Sequence, residues 1–313
     1  MPPLEPAPPE RSSAPFRADD LLAWRRSLLG QGGRAEDLDW LLDLAGGLSW
    51  AALQELRLHP QRPVRLHCPA ATIEDLWQRH LRSHEPLQYL VGRCPWRDQE
   101  LRVAPGVLIP RQETELLPDL AVRLIGAGPP PRLWADLGTG SGCLALAVAL
   151  AFPEAPGLAV DSSAEALIQA QANLHDQGLL PRVRLVRSDW WQALDFCQGQ
   201  LDLVVANPPY IPSATVDALD PVVRLHEPRQ ALDGGPDGLA AVRALVAGAP
   251  RALAPGGLLL LEHHHDQSAA VLALLADAGL VDRRWHPDLE GVRRFASARR
   301  PPATMSSAAS TSA

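Results

Sequence analysis

WADLGTGSGCLALAVAL, residues 134–150, decides the fold. An apolar strand ends at Asp136, glycines at 138, 140 and 142 make the turn, and an apolar helix starts near Gly142. The missing side chains let backbone N–H groups and a ligand approach closely, which is how a strand–turn–helix unit receives a nucleotide at a sheet edge. A dinucleotide fingerprint G-x-G-x-x-G would put its third glycine at 143, where the chain has Cys143, and no G-K-[ST] ending marks a phosphate loop.

Further strands follow from the same grammar. GLAVD (157–161), VRLVRSD (183–189), LDLVVAN (201–207) and GGLLLLE (256–262) are short apolar runs, most of them separated by helical segments. That alternation predicts an α/β domain with an open, mainly parallel sheet and helices on both faces. Asp161 ends the next strand, twenty-five residues after Asp136, where a carboxylate suits two ribose hydroxyls; taken alone it serves equally as a cap for the helix that follows. Asp189 can accept from an adenine amino group, and Trp190 or Trp191 can lie against a purine or in the core. Asp136 either braces the glycine turn or faces the cationic end of the ligand. A nucleoside without a pyrophosphate fits this set, and S-adenosylmethionine is the leading candidate.

The strand over 201–206 runs into Asn207-Pro208-Pro209-Tyr210. Asn207 offers a side-chain carbonyl, and Pro208 a backbone carbonyl with no N–H beside it. Two acceptors suit an NH2 group whose lone pair is delocalised, and the Tyr210 ring can lie against the planar group that carries it. Holding both N–H bonds aims the nitrogen at an electrophilic methyl. An amide and an adenine both present such a group.

The rest of the chain narrows the choice. At 313 residues it has room for two cores, and a formal net charge of -7 argues against a surface built to coat nucleic-acid phosphates. Cys68, Cys94, Cys143 and Cys197 are too far apart for a C-x-x-C pair, no secretory leader is evident, and no apolar run is long enough to span a bilayer. A cytoplasmic protein without a membrane partner is expected. Residues 1–16 and 301–313 read as disordered tails. Leucines at helical spacing over 17–60 predict a small helical domain, a further helix is expected from a Thr72 cap to before Pro86, and QYLVGRCPWRDQELRVAPG (88–106) is expected to turn extended and form a hairpin.

Eight stretches in order resemble the bacterial family of peptide chain release factor glutamine methyltransferases: EPLQYLVG (85–92), LRVAPGVLIPRQETELL (101–117), DLGTGSG (136–142), AVDSSAEAL (159–167), SDWW (188–191), NPPYIP (207–212), EPRQALDGGPDGL (227–239) and LAPGGLLLLE (253–262). The resemblance covers roughly residues 17–300. It implies a helical substrate-recognition domain over 17–84, a β-hairpin connector over 85–110, and a seven-stranded, Rossmann-like class I S-adenosylmethionine-dependent methyltransferase domain over 111–300. The implied reaction moves a methyl group from S-adenosyl-L-methionine to the side-chain amide nitrogen (N5) of the glutamine in the Gly-Gly-Gln motif of class I release factors, leaving S-adenosyl-L-homocysteine. Gly138, Thr139, Gly140, Ser141 and Gly142, with Asp136, would surround the methionine part, Asp161 the ribose, and Asp189 with Trp190 the adenine. Asn207 would touch cofactor and acceptor, with Pro208, Pro209 and Tyr210 completing the catalytic, glutamine-binding corner. A monomer with no metal and no nucleic-acid requirement is expected.

Rival readings share the amide or amine chemistry: a ribosomal-protein glutamine methyltransferase, an adenine N6 methyltransferase, or a nucleoside-binding protein without catalysis. Arg111, Glu113 and Glu115 lie where the family closes its site, although a solvated charged face is the simpler reading of each. One departure stands out. Glu262 is followed by His263, His264 and His265 where a glycine soon after the glutamate is usual. Three adjacent histidines on extended backbone alternate faces, so no metal role is assigned to them.

Overall fold

A computed structural model describes residues 15–126 and 128–303. Most of each predicted tail lies outside the described residues. Phe16, placed in the first tail by sequence, instead pairs with Val64: β1 (Phe16–Arg17) and β2 (Pro63–Val64) form a short antiparallel ladder.

The chain divides into two compact units. The described residues up to Arg93, with Pro221–His226, make the first. Its helices span Ala18–Leu29, Ala35–Leu44, Trp50–Leu58, Ala70–Ser83 and Leu87–Val91. Leu21, Leu28, Leu38, Leu41, Leu42, Ile73 and Trp77 are its buried centre. Each buried large side chain is worth about 1.5–3 kcal/mol relative to exposure. The Trp77 ring leaves no room for a side chain at Gly33, which has φ +84°, and its Nε1 donates to the Leu28 carbonyl at 3.2 Å.

Two local expectations change here. The fourth helix starts at Ala70 behind Pro69 instead of at a Thr72 cap, because Pro69, with φ −57°, already presets the entry into the helix. Tyr89 and its neighbours form the helix Leu87–Val91, not extended chain. Pro86 precedes that helix, and Gly92 ends it at φ +72°, a conformation open to glycine. The hairpin itself is present as β3 (Arg93–Trp96) and β4 (Gln99–Arg102).

The second unit holds the sheet. Its strands are β5 (Trp134–Leu137), β6 (Gly157–Asp161), β7 (Val183–Arg187), β8 (Leu201–Ala206), β9 (Leu253–Glu262), β10 (Val281–Pro287) and β11 (Arg293–Arg299), in spatial order β10-β11-β9-β8-β5-β6-β7. β5 to β9 pair in parallel, β11 runs antiparallel beside β9, and β10, antiparallel to β11, closes that edge in the direction of the other strands. This is the seven-stranded class I methyltransferase fold.

Alternate residues explain why the central strands β8 and β9 are apolar over 203–206 and 258–261. Leu203 and Val205 of β8 and Leu258 and Leu260 of β9 pack on one face, against Leu144 and Val148 of the helix Cys143–Ala151. Val204, Ala206, Leu259 and Leu261 pack on the other, with Leu245 and Val246 of the helix Ala240–Ala252 and Val271 and Leu275 of Ser268–Asp277. A sheet covered on both faces needs no polar alternation.

The order also fixes where a ligand can sit. From β5 the chain winds outward through β6 and β7, then returns to β8 on the other side of β5, so the loops after β5 and β8 open a crevice at the carboxyl edge. Register does the rest. Leu137 pairs with Ala206 and with Val160, Ala206 with Leu261, and Asp161 with Arg187. The next residue in each strand or loop is therefore in one row: Glu262, Asn207, Gly138, Asp161, and Ser188 one step on.

Candidate active site

A cavity of about 410 Å³ lies over this row, within the range of small-molecule sites. Its wall includes Gly138, Thr139, Gly140 and Ser141 from the first loop, Asp161 after β6, Asp189 and Trp190 after β7, and Asn207 and Pro209 after β8. Residues expected from sequence to contact a nucleoside and residues expected to contact an NH2 group thus share one space.

The glycine turn is built for close approach. Gly138, Gly140 and Gly142 have φ of +78°, +55° and +83°. A Cβ on Gly138 would lie 3.3 Å from the Trp190 ring, and one on Gly142 3.0 Å from Ala170; at Gly140 it would meet no protein atom within 4 Å. Gly138 and Gly142 make room for the protein itself, whereas Gly140 leaves the cavity open.

Asp161 organises this turn as it faces the cavity. Its Oδ2 accepts from the Gly140 N–H at 2.9 Å and its Oδ1 from the Ser163 N–H at 2.9 Å. Burial raises its pKa, against the lowering effect of those backbone N–H groups. The helix Ala164–Asp176 is capped by Ser163, whose Oγ accepts from the Ala166 N–H at 3.1 Å, so the cap reading of Asp161 does not hold; it braces the loop and keeps a second lone pair on each oxygen for a ligand.

Asp136 is placed differently. It is fully buried behind the loop and is not on the cavity wall, and its Oδ2 accepts from Thr139 Oγ1 at 2.6 Å and from the Ala145 N–H at 3.0 Å. Of its two expected roles the geometry favours bracing the turn. Burial pushes its pKa up to about 7, with the Thr139 and Ala145 bonds opposing. Gly142 is also behind the wall.

The paired tryptophans separate. Trp191 is a core residue: its Nε1 donates to the Ala244 and Leu245 carbonyls at 3.1 Å, and its ring fills the space over Gly248. Trp190 sits at φ +47°, unusual for a bulky residue, and lies between the glycine turn and the cavity.

At the acceptor corner Asn207 and Pro209 line the cavity, Pro208 is buried, and Tyr210 is half-buried with its hydroxyl turned to Glu262. The stretch 227–239 supports this corner. Ile211 N–H donates to the Leu232 carbonyl at 3.0 Å and Gly234 N–H to the Ile211 carbonyl at 2.8 Å. A side chain on Gly238 would collide with the Tyr210 carbonyl at 2.3 Å. Arg111, on the cavity wall, pairs with buried Glu227 at 2.7 Å, and Glu227 also accepts from the Ile109 N–H at 3.1 Å. The charge of Arg111 thus ties the loop carrying Ile109 and Arg111 to Glu227.

Comparison with known proteins narrows the reading. A family model described as "Methyltransferase small domain" matches residues 120–224. A release factor glutamine methyltransferase of Prochlorococcus marinus is 49% identical over 287 residues, 91% of this chain and 98% of that protein. Those of Gloeobacter violaceus (44% identical, 81% of this chain and 87% of that protein) and of Synechocystis sp. (39%, 88% and 93%) are similar to it as well. The chain belongs to the release factor glutamine methyltransferase family.

Within a release factor glutamine methyltransferase, the unusual histidines now have places. His263 is fully buried; its Nδ1 lies 2.7 Å from the His264 carbonyl and so donates, leaving Nε2 bare and without a partner. Burial lowers its pKa. His264 Nδ1 is 2.7 Å from Asp266, and its ring stacks at a tilt on His265. Among the described residues no group of three or more His, Cys, Asp or Glu side chains is arranged to hold a metal ion, and no helix is long and apolar enough to cross a membrane.

Thr114 and Glu262 are what the sequence reading missed. Thr114 Oγ1 donates to Glu262 Oε2 at 2.7 Å and accepts from Asn207 Nδ2 at 3.0 Å, while Tyr210 OH donates to Glu262 Oε1 at 3.1 Å. Glu262 is 1% exposed, and burial pushes its pKa up to about 7 against the two hydroxyl bonds. The signal was available: a lone carboxylate ending an apolar strand beside the strand that delivers Asn207.

Proposed function

We propose that the protein methylates the N5 amide nitrogen of the glutamine in the Gly-Gly-Gln loop of class I peptide chain release factors, with S-adenosylmethionine as donor. The nucleoside fits the site: a glycine-lined opening at Gly140, a ribose-suited acceptor at Asp161, and Asp189 and Trp190 on the same wall. When bound, S-adenosylmethionine supplies a methyl group already activated by positive sulfur, and no metal or covalent enzyme intermediate is needed. What the chain must add is alignment, dryness and electrostatics.

An amide nitrogen attacks poorly because its lone pair is shared with the carbonyl. Asn207 Oδ1 and the Pro208 carbonyl are the two acceptors for its N–H bonds, with Pro209 and Tyr210 shaping the pocket for the planar group. Accepting from both N–H groups raises electron density at nitrogen and favours its pyramidal form as the new bond grows. In this reading the helical unit grips the release factor, a single chain is sufficient, the by-products are S-adenosylhomocysteine and one proton lost from the methylated amide nitrogen to solvent, and the reaction takes place in the cytoplasm. No nucleic acid or membrane is required.

The observation that carries the proposal is the single cavity shared by the glycine turn and Asn207, set by the pairing of Leu137 with Ala206. The test presents labelled S-adenosylmethionine with full-length release factor, ribosomal protein and DNA in parallel. Label in the release factor alone supports the proposal; label only in ribosomal protein or DNA, or in nothing, rejects it.

A further inference from the structure

We infer that Thr114 and Glu262 are positioning residues that fix which way round the Asn207 amide sits, presenting its carbonyl oxygen to the incoming NH2 group. The inference rests on the proposed amide chemistry. Oxygen and NH2 of an asparagine are nearly the same size, so the two orientations of the Asn207 side chain differ little in packing. In the wrong one an NH2 substrate would face the Asn207 NH2, and only the Pro208 carbonyl would be left to accept.

The relay breaks that near-symmetry from behind. Above pH of about 7, where the relay is to be tested, Glu262 is ionised and its carboxylate only accepts. Glu262 is buried, both of its oxygens are engaged by hydroxyl donors, and one of these is Thr114 at 2.7 Å. Thr114 has a single hydroxyl hydrogen, spent on Glu262, so towards Asn207 it offers a lone pair. Asn207 answers with Nδ2 at 3.0 Å, which leaves Oδ1 as its acceptor for the substrate. A flipped Asn207 would set its oxygen against that lone pair, a buried mismatch. The three residues come from the 3-10 turn Glu113–Glu115, the end of β9 and the loop after β8.

The chain contains only two asparagines, Asn173 and Asn207. Selective 15N-asparagine labelling of the full-length protein therefore yields two side-chain NH2 groups, and Asn207→Ala assigns them. Asn173 Nδ2, which donates to the Arg102 and Ser141 carbonyls at 3.0 and 2.8 Å, is an internal reference. In the wild type the Asn207 signal is expected away from the position of a free amide. Thr114→Val, isosteric but without the hydroxyl, is expected to move it there and speed its exchange about tenfold, Thr114→Ser to restore it, and the Asn173 signal to stay put. In kinetics, Thr114→Val is expected to lower kcat roughly tenfold with little change in S-adenosylhomocysteine affinity, and to cost nothing further in the Asn207→Ala background.

An Asn207 signal at the free-amide position in the wild type, or one unmoved by Thr114→Val, overturns the inference. So does an equal kcat loss with and without Asn207. A wild type that methylates no release factor refutes the proposed function instead, while the amide signals still decide whether the relay exists.

Discussion

Two glycine-to-alanine substitutions in one turn should reverse their order between stability and binding. At Gly140, φ is +55° and a new Cβ meets no protein atom within 4 Å, so the cost to folding is left-handed backbone strain of about 1 kcal/mol. For a domain of this size that is a fall of about 2–4 °C in Tm. At Gly142, φ is +83° and the Cβ lands 3.0 Å from the Cα and Cβ of Ala170, in the helix Ala164–Asp176. Strain and overpacking against backbone together cost about 3 kcal/mol, or about 6–12 °C. Affinity runs the other way. Gly140 is on the cavity wall, so its methyl group enters the space a nucleoside needs, whereas Gly142 is behind it. Calorimetry with S-adenosylhomocysteine should show Gly140→Ala binding about tenfold or more weaker, a loss of about 1.4 kcal/mol, and Gly142→Ala within about threefold of wild type. If Gly140→Ala binds like wild type, or Gly142→Ala loses more affinity than Gly140→Ala, the placement of the nucleoside against this turn is wrong.

Asp161→Asn sets an NH2 against either the Gly140 or the Ser163 N–H, both of which now donate to the carboxylate, and should weaken S-adenosylhomocysteine about ten- to thirtyfold; unchanged binding would remove Asp161 from the site. Glu262 links stability to pH. Its carboxyl holds a proton up to about 7 when folded against 4.5 ordinarily, so the folded state binds more protons between those values and stability falls as pH rises through that window. The change is on the order of 3 kcal/mol. Asp136, raised to about 7 as well, adds to the fall over the same window, so Glu262→Gln should remove about half of the drop in Tm between pH of about 5 and 8, and an unaltered slope would show that Glu262 is not a source of it.

How much of this was legible in the sequence depends on the range of the interaction concerned. LDLVVAN and GGLLLLE announced buried parallel strands through the apolar runs 203–206 and 258–261, closed by Asn-Pro-Pro or opened by Gly-Gly, and the glycine spacing at 138, 140 and 142 announced a close-approach turn. These are local signals. Once the strand order is known, the one-row register of Gly138, Asp161 and Asn207 follows from strand ends the sequence already marked. The relay was hidden because Thr114 and Glu262 are 148 residues apart and meet only through the 3-10 turn over Glu113–Glu115. Composition around Tyr89 looked extended, yet Pro86 and Gly92 bracket a helical turn, so punctuation outweighed propensity there. Asp136 could have faced a ligand or the turn, and only its full burial behind Thr139 separates those roles. For the two adjacent tryptophans the decision came from backbone: φ +47° turns Trp190 to the cavity and leaves Trp191 over Gly248.

The most direct measurement is the tandem mass spectrum of a class I release factor after incubation with this protein and S-adenosylmethionine. One added methyl group on the glutamine of Gly-Gly-Gln, absent when folded Asn207→Ala replaces the wild type, is the predicted result. An unmodified glutamine with the methyl group elsewhere, or full modification by the Asn207→Ala variant, would contradict the account.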